Sequence, residues 1–373
     1  MQPKKILVTG GAGFVGSHTA DALVKAGHSV RIFDNLSPQV HTSGVPAYLP
    51  SQAEFIRGDV RDLEQLTPAL RGMDVIFHLA AAVGVGQSMY RISEYTAVNN
   101  VGTANLLQAI LDTHSHPERI VVASSMSIYG EGNYICTNCG EVAPQMRPSG
   151  QLSAKQWEPG CELCRETLVP VPTREEKPLQ CSSIYALSKK DQEEMVLLFG
   201  RTYGIPTVAL RYFNIYGPRQ SLSNPYTGVA AIFASRMMNG KAPLIFEDGN
   251  QMRDFVSVSD IAQANLLAIE SPNAVGQAVN IGSGEPVTIR EVAEELSRAL
   301  SVSTPLEITG KNRSGDIRHC FADISRARAL LGYAPRITFK QGMNELAFWL
   351  RSQWASDSVE EAMEELKAHR LVA

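Results

Sequence analysis

The chain has 373 residues, of which 44% are hydrophobic, and its formal net charge is −4. This length and composition predict a large core divided into about two domains. The weakly acidic balance gives no attraction toward nucleic acid or a membrane surface. We identify no apolar run long enough to span a bilayer and no signal peptide before the first predicted strand, and we therefore expect a cytoplasmic protein.

The start of the chain predicts a strand, a glycine turn and a helix, over residues 6–8, 10–16 and 17–26. The glycines fit G-x-G-x-x-G at positions 11, 13 and 16, and G-x-x-G-x-x-G at positions 10, 13 and 16. Such a turn lets a pyrophosphate approach the backbone at a helix N-terminus. Asp34 ends the next apolar run at the distance expected for a residue that binds an adenosine ribose. Because a carboxylate repels a 2′-phosphate, the pattern favours NAD over NADP.

Short apolar runs then alternate with helical patterns through the first half of the chain. We predict buried strands near residues 75–79, 120–124 and 207–211, and helices near 98–111 and 185–203. This alternation predicts an α/β fold with a doubly wound parallel sheet. Capping boxes at Thr288 and Ser358 predict two later helices, of which the charged C-terminal one is expected at the periphery.

Residues 131–178 interrupt this alternation and contain two C-x-x-C pairs, Cys136 with Cys139 and Cys161 with Cys164. Four thiolates match a tetrahedral structural zinc site in a zinc-ribbon-like insert, the alternatives being two disulfides or four unrelated thiols. The insert carries five Arg and Lys residues against seven Glu residues, which argues against nucleic-acid binding. We expect it to fold over a substrate mouth or to form a subunit contact.

A candidate catalytic set lies on both sides of the insert. Tyr185 and Lys189 are four residues apart and therefore share one helix face. The ammonium and a nicotinamide cation would both lower the pKa of the phenol, so that Tyr185 could accept a proton from a sugar hydroxyl. Ser125, at the end of a predicted strand, would share a hydrogen bond with that hydroxyl.

With these motifs the chain resembles the extended short-chain dehydrogenases/reductases, and among them the nucleotide-sugar epimerase/dehydratase family. The resemblance covers nearly all of the chain except residues 131–178. It rests on the glycine turn and the Tyr185–Lys189 pair, together with Gly58-Asp59-Val60, His78-Leu79-Ala80-Ala81, Asn99 with Gly102-Thr103, and the segments 124–130, 211–219 and 253–256.

The resemblance implies an NAD-binding domain over 1–130, 179–212 and 252–280, a nucleotide-sugar domain over 213–251 and 281–373, and a homodimer. It implies NAD contacts from Gly10, Gly13, Phe14, Val15, Gly16, Asp34, Asn35, Asp59, Val60, Leu79, Ala80, Ala81, Asn99, Tyr185 and Lys189. It implies substrate contacts from Val83, Ser127, Asn214, Phe246, Arg253 and Arg313. The diphosphate would lie on Asn214, Arg253 and Arg313, and the nucleobase on Phe246.

The resemblance also bears on the reaction. Dehydratases of the family carry Asp-Glu where this chain has Met126 and Ser127, and decarboxylases carry Glu at the position of Ser127. A 4-epimerase is therefore implied, in which tightly bound NAD removes hydride from C4 and returns it to the opposite face. A 4-keto-sugar reductase and a dinucleotide sensor without catalysis are the alternatives.

The substrate is implied less directly. Residues 82–88, together with the cysteine insert, resemble family members that interconvert dTDP-L-rhamnose and dTDP-6-deoxy-L-talose. Relatives that act on uronates often carry an arginine near the position of Gly86, and this chain has none there. The alternative substrate pair is UDP-glucose and UDP-galactose.

Overall fold

The computed structural model describes residues 2–42, 44–226, 228–313 and 315–372. Its strands are β1 (Lys5–Thr9), β2 (Ser29–Asp34), β3 (Glu54–Arg57), β4 (Val75–His78), β5 (Arg119–Ser125), β6 (Asn133–Cys136), β7 (Gly140–Val142), β8 (Val169–Val171), β9 (Thr207–Tyr212), β10 (Asn214–Tyr216), β11 (Leu244–Ile245), β12 (Met252–Ser257), β13 (Gln277–Ile281), β14 (Pro286–Thr288), β15 (Glu307–Ile308) and β16 (His319–Cys320).

The helices are α1 (Phe14–Lys25), α2 (Leu63–Leu70), α3 (Val85–Ser88), α4 (Ile92–Tyr95), α5 (Gly102–Asp112), α6 (Ser149–Ser153), α7 (Ile184–Tyr203), α8 (Val229–Met238), α9 (Val258–Glu270), α10 (Ile289–Leu300), α11 (Ser325–Leu331), α12 (Phe339–Leu350) and α13 (Val359–Ala368). A π-helical turn, Thr96–Val101, leads directly into α5, and a 3₁₀ turn, Met126–Tyr129, follows β5. No helix in the described ranges has the length and apolar character needed to cross a membrane.

A seven-stranded sheet in the order β3-β2-β1-β4-β5-β9-β13 forms the larger half of the molecule, and every neighbouring pair in it is parallel. Its strands are apolar on both faces because helices cover both. In β1, Ile6 and Val8 pack in the core that includes α1 and α9, whereas Leu7 packs in the core that includes α2, α5 and α7. The predicted doubly wound parallel sheet is confirmed.

The smaller half is built around β12, which pairs in parallel with β10 and β16 and antiparallel with β14. Helices α8, α10 and α12 supply its core, which includes Phe233, Val292 and Leu346. We had expected residues 252–280 to return to the NAD-binding half. Of this segment α9 packs on α1 and β13 joins the large sheet, but β12 belongs to the small sheet.

The predicted capping box at Thr288 is present, with Glu291 closing it at the start of α10. Ser358 also precedes a helix, but its side chain makes no capping hydrogen bond, so the second predicted capping box is wrong.

The insert forms its own antiparallel sheet in the order β7-β6-β8. Tyr134 and Leu168 are buried beside Cys136 and Cys161, which gives this sheet a small core of its own. The structure thus shows a separate small sheet and a cysteine cluster in the insert, whereas the zinc-ribbon-like character stays a prediction.

Candidate active site

A cavity of about 980 Å³ lies between the large and small sheets, at the carboxyl ends of the parallel strands. Ligands bind at this edge in doubly wound folds, and the volume is at the upper end for ligand pockets. The predicted cofactor and substrate residues line it, with the single exception of Asn99. The structure therefore brings together residues that lie more than 300 positions apart in the chain.

The glycine turn forms one end of the cavity. Gly10 has φ +68°, and a Cβ on it would lie 2.7 Å from the backbone nitrogen of Ala80. A Cβ on Gly16 would overlap the carbonyl oxygen of Gly10. Gly13 caps α1 without a side chain, so the first-turn N–H groups face the cavity. This turn fits a pyrophosphate because no side chain separates it from the backbone.

Asp34 and Asp59 supply the acceptors near this turn. The carboxylate of Asp34 accepts hydrogen bonds from the backbone nitrogens of Ala12 (3.0 Å) and Leu36 (2.9 Å) and still lines the cavity. Hydrogen bonds from Arg61, and then from Asn35, lower the pKa of Asp59 to about 2. Both carboxylates are placed to accept hydrogen bonds from a nucleoside.

The catalytic candidates meet at the centre of the cavity. Ser125 ends β5, and Tyr185 and Lys189 lie on the first two turns of α7. The hydroxyl of Ser127 donates to Ser125 Oγ at 2.9 Å. The backbone nitrogen of Tyr185 donates to Ser88 Oγ at 3.0 Å, which ties α7 to residues 82–88.

Burial opposes ionisation of both Tyr185, the candidate base, and Lys189, its candidate cation. It raises the pKa of the Tyr185 phenol, and a hydrogen bond from Ser125 acts in the opposite direction. Burial also lowers the pKa of Lys189 to about 7, although Glu193 favours the charged form. Because a phenolate and an ammonium stabilise each other, each group supplies the charge that the other needs.

Gln192 supports Lys189 and was not predicted. Lys189 Nζ donates to Gln192 Oε1 at 2.7 Å, and Gln192 Nε2 donates to the hydroxyl of Thr103 at 2.8 Å. Its position one turn after Lys189 was the available signal. The amide oxygen of Gln192 thereby orients one N–H bond of the Lys189 ammonium.

Asn99 does not line the cavity, and its NAD contact stays a prediction. It is fully buried, with Oδ1 accepting from Ala82 N at 2.8 Å and Nδ2 donating to Ser188 Oγ at 2.8 Å. With both amide atoms engaged, Asn99 holds the backbone after β4 against α7. Asn99 therefore positions these two segments of the site without lining the cavity itself.

The predicted substrate residues line the small-sheet side. Arg253 donates to the carbonyl oxygens of Ile317 (2.7 Å) and Arg318 (2.8 Å), and the guanidinium of Arg313 lies 4.5 Å from the ring centroid of Phe246. Asn214 Oδ1 is buried without a hydrogen-bond partner. Two cations and an aromatic ring together suit a nucleotide diphosphate.

The C-terminal helix also lines the cavity, although we had expected it to be peripheral. Val359, Ala362, Met363 and Leu366 of α13 reach the lining, and Leu366 packs against Gly86. Their spacing of three, four and seven residues was the signal that the sequence offered.

A carboxylate holds this helix in place. Glu365 Oε2 accepts from the hydroxyls of Tyr90 (2.6 Å) and Tyr226 (2.5 Å). The ring of His369 stacks on Tyr90 with centroids 4.5 Å apart. α13 is thus fastened over residues 82–90.

The four predicted metal ligands also come together, away from the cavity. The sulfur atoms of Cys136, Cys139, Cys161 and Cys164 all lie within 4.8 Å of one another. Among the described residues that line the cavity, none belongs to 131–178. Of our two expectations for the insert, covering the substrate mouth is therefore not borne out, and a subunit contact stays a prediction.

Comparison with known proteins gives the family. The model of the "NAD dependent epimerase/dehydratase family" matches residues 6–150 and 165–282. The chain belongs to this family.

Relatives within the family agree in sequence and fold. The chain is 35% identical to a dTDP-L-rhamnose 4-epimerase of Burkholderia thailandensis over 94% of this chain and 96% of that protein. Its fold is similar to that of a UDP-N-acetylglucosamine 4-epimerase from Methanobrevibacter ruminantium (TM-score 0.77, 31% identity, 95% of this chain and 100% of that one). It is also similar to a UDP-glucose 4-epimerase of Thermus thermophilus solved with NAD (TM-score 0.74, 30% identity, 94% and 100%). The predicted enzyme class, an NAD-dependent nucleotide-sugar 4-epimerase, is confirmed.

Proposed function

We propose that this family member epimerises dTDP-L-rhamnose at C4, giving dTDP-6-deoxy-L-talose. Bound NAD supplies the chemistry of accepting hydride from C4 and returning it to the other face of the sugar. Tyr185 takes the proton of the 4-hydroxyl and later returns it, while the hydroxyl of Ser125 forms a hydrogen bond with the same oxygen. Lys189 stabilises the phenolate.

Our assignment of the sugar rests on the cavity wall beside Tyr185. Residues 82–88 and α13 present Val83, Val85, Met363 and Leu366 to the cavity. The described arginine and lysine residues of the lining already have roles. Arg61 pairs with Asp59, Lys189 stabilises the Tyr185 phenolate, and Arg253 and Arg313 lie at the diphosphate end. A C6 carboxylate would have no cationic partner at this wall, whereas a C6 methyl suits its apolar side chains.

UDP-glucose and UDP-galactose remain the second candidate pair. The solved relative from Thermus thermophilus is a UDP-glucose 4-epimerase and is similar to this chain in fold. A nucleotide-sugar 4-reductase or a dehydratase would use the same residues, but Met126 and Ser127 offer no carboxyl acid or base for dehydration.

The insert holds a structural zinc ion in this proposal. Zn–S bonds of about 2.3 Å place tetrahedral sulfur atoms about 3.8 Å apart, and the four thiols are already within reach of that geometry. All six cysteines are free, which fits a reducing compartment such as the cytoplasm. Four thiolates leave no open coordination position, so the ion has no catalytic role.

Two copies of the chain pair through α5 and α7. Leu187 and Leu198 lie eleven residues apart on α7, hence on one stripe, and are 45% and 58% exposed. Val101, just before α5, is 47% exposed. Burying these side chains against a second copy would remove an apolar surface from water.

The test is an NMR time course with dTDP-L-rhamnose, UDP-glucose and UDP-galactose in parallel, with no added NAD. We expect inversion at C4 with dTDP-L-rhamnose and none with the Tyr185→Phe variant. Inversion of only the UDP sugars would overturn the sugar assignment and retain the epimerase. No C4 inversion of any nucleotide sugar would overturn the reaction, and steady consumption of added NADH with a 4-keto sugar would favour the reductase.

A further inference from the structure

An ionic cluster with a buried centre joins the insert to the small-sheet half of the molecule. At its centre is Arg318, whose side chain is 1% exposed. Its guanidinium donates to Glu158 of the insert at 2.6 and 2.9 Å, to Glu247 at 2.9 Å and to Asp248 at 2.7 and 3.0 Å. All three of its nitrogens are therefore engaged by carboxylates.

The insert contributes two further charged side chains. Arg147 is 2% exposed and donates to Glu247 Oε1 at 2.7 Å. Glu131 accepts the backbone N–H groups of Arg318 (2.7 Å) and His319 (3.2 Å). A buried guanidinium needs its carboxylate partners, and those of Arg318 come from separate segments of the chain, so the cluster holds these backbone segments together.

Those segments are the ones that present the nucleotide-binding candidates. Phe246 directly precedes Glu247, and Arg253 donates to the carbonyl oxygens of Ile317 and Arg318. The imidazole of His319 accepts from the backbone nitrogen of Met252 (3.0 Å), and its other nitrogen lies 2.9 Å from Glu158. The cluster thus lies directly behind the wall that carries the aromatic ring and the arginine.

We infer that the insert positions the nucleotide-diphosphate end of the active site, with Glu158 as a positioning residue that acts through Arg318 and His319. The inference rests on the proposed function, in which Phe246 and Arg253 contact the nucleotide. Because the insert contributes none of the described lining residues, its effect passes through the backbone of residues 246–253 and 317–319. Preorganising these residues lowers the cost of binding.

The test uses the full chain with Glu158→Gln, which keeps the size of a side chain that is 40% exposed. Calorimetry measures binding of dTDP and UDP, and kinetics give kcat and KM. We expect Kd and KM to rise about 3- to 30-fold while kcat and bound NAD stay unchanged. Glu158→Asp, which keeps the charge, should recover part of the affinity. Glu162→Gln makes the same change at an exposed insert position and should bind normally.

The outcomes separate this inference from the proposed function. If Arg253→Ala weakens dTDP binding and Glu158→Gln does not, the positioning role of the insert is overturned. A lower melting temperature for Glu158→Gln with unchanged Kd indicates a purely structural role and also overturns it. If neither variant changes dTDP binding, the placement of the nucleotide in the proposed function is wrong, whatever the NMR assay shows about C4.

Discussion

At the scale of single residues, the main feature is a base and a cation buried side by side. Burial raises the pKa of Tyr185 despite a hydrogen bond from Ser125, and it lowers the pKa of Lys189 to about 7 despite the nearby Glu193. A phenolate is therefore available near neutral pH only while the ammonium is present, because the positive charge lowers the pKa of the phenol.

Replacing Lys189 with Met should consequently change the pH dependence and not only the rate. Without the ammonium the pKa of Tyr185 rises, so the acidic limb of the kcat–pH profile should move up by about 1–3 pH units. Tyr185→Phe removes the proton acceptor, and kcat should fall about 10²- to 10⁴-fold at every pH. Steady-state kinetics between pH 6 and 10 would measure both.

Lys190→Met is the matched control, because Lys190 pairs with Glu194 on the outer face of α7 at 3.3 Å. Its profile should coincide with that of the wild type. An unshifted acidic limb in Lys189→Met would show that Lys189 does not set the ionisation of Tyr185.

At the scale of elements, strands and motifs could be predicted from local sequence, whereas contacts between distant elements could not. The strand predicted at 207–211 is Thr207–Tyr212, and the helix predicted at 185–203 is Ile184–Tyr203. The predicted helix at 98–111 contains a π-helical turn before α5, which periodicity does not distinguish.

The C-terminal helix shows why its environment could not be predicted. Its apolar stripe was readable in the sequence, but Glu365 fixes it over the cavity through Tyr90 and Tyr226, which lie 275 and 139 residues earlier. Asn99 shows the same limit, since the motif identified the residue but not the direction of its amide.

Removal of metal from the insert should weaken nucleotide binding at the diphosphate end of the active site. In a Cys136→Ser, Cys139→Ser double variant we expect zinc to fall from one ion per chain to none. The melting temperature should also fall, because the insert loses the metal that links its two C-x-x-C turns. Kd for dTDP should rise while NAD remains bound. Elemental analysis, calorimetry and thermal unfolding would measure these changes.

Cys181→Ser is the control, because Cys181 is a free thiol outside the four-cysteine cluster. It should leave metal content and binding unchanged. Equal metal content in the double variant and the wild type would refute the zinc assignment.

At the scale of the whole molecule, the exposed stripe on α7 predicts assembly. Leu198→Arg places a charge where we expect a second copy, so the species observed by light scattering should fall from twice 40.6 kDa to a single chain. Ile308→Arg makes the same change at a residue that is 40% exposed on the other half and should leave the dimer intact. A wild-type monomer would contradict the prediction.

The doubly wound parallel sheet followed from the alternation of strands and helices, but the boundary between the two halves did not. β12 and β13 are both largely buried strands on either side of α9, and only their long-range partners assign them to different sheets. Sequence patterns show that a strand exists and is buried, whereas its neighbours depend on the assembled fold.

The ionic cluster has a consequence for the order of events during synthesis. Arg318 follows Glu158 by 160 residues, so at ribosomal speeds the insert emerges about 8–30 s before its main partner. The four cysteines, by contrast, all emerge within residues 136–164. If they bind metal as proposed, the insert folds first as a nascent unit and docks later. In a cell starved of zinc, the chain would then be completed without a folded insert on which Arg318 can dock.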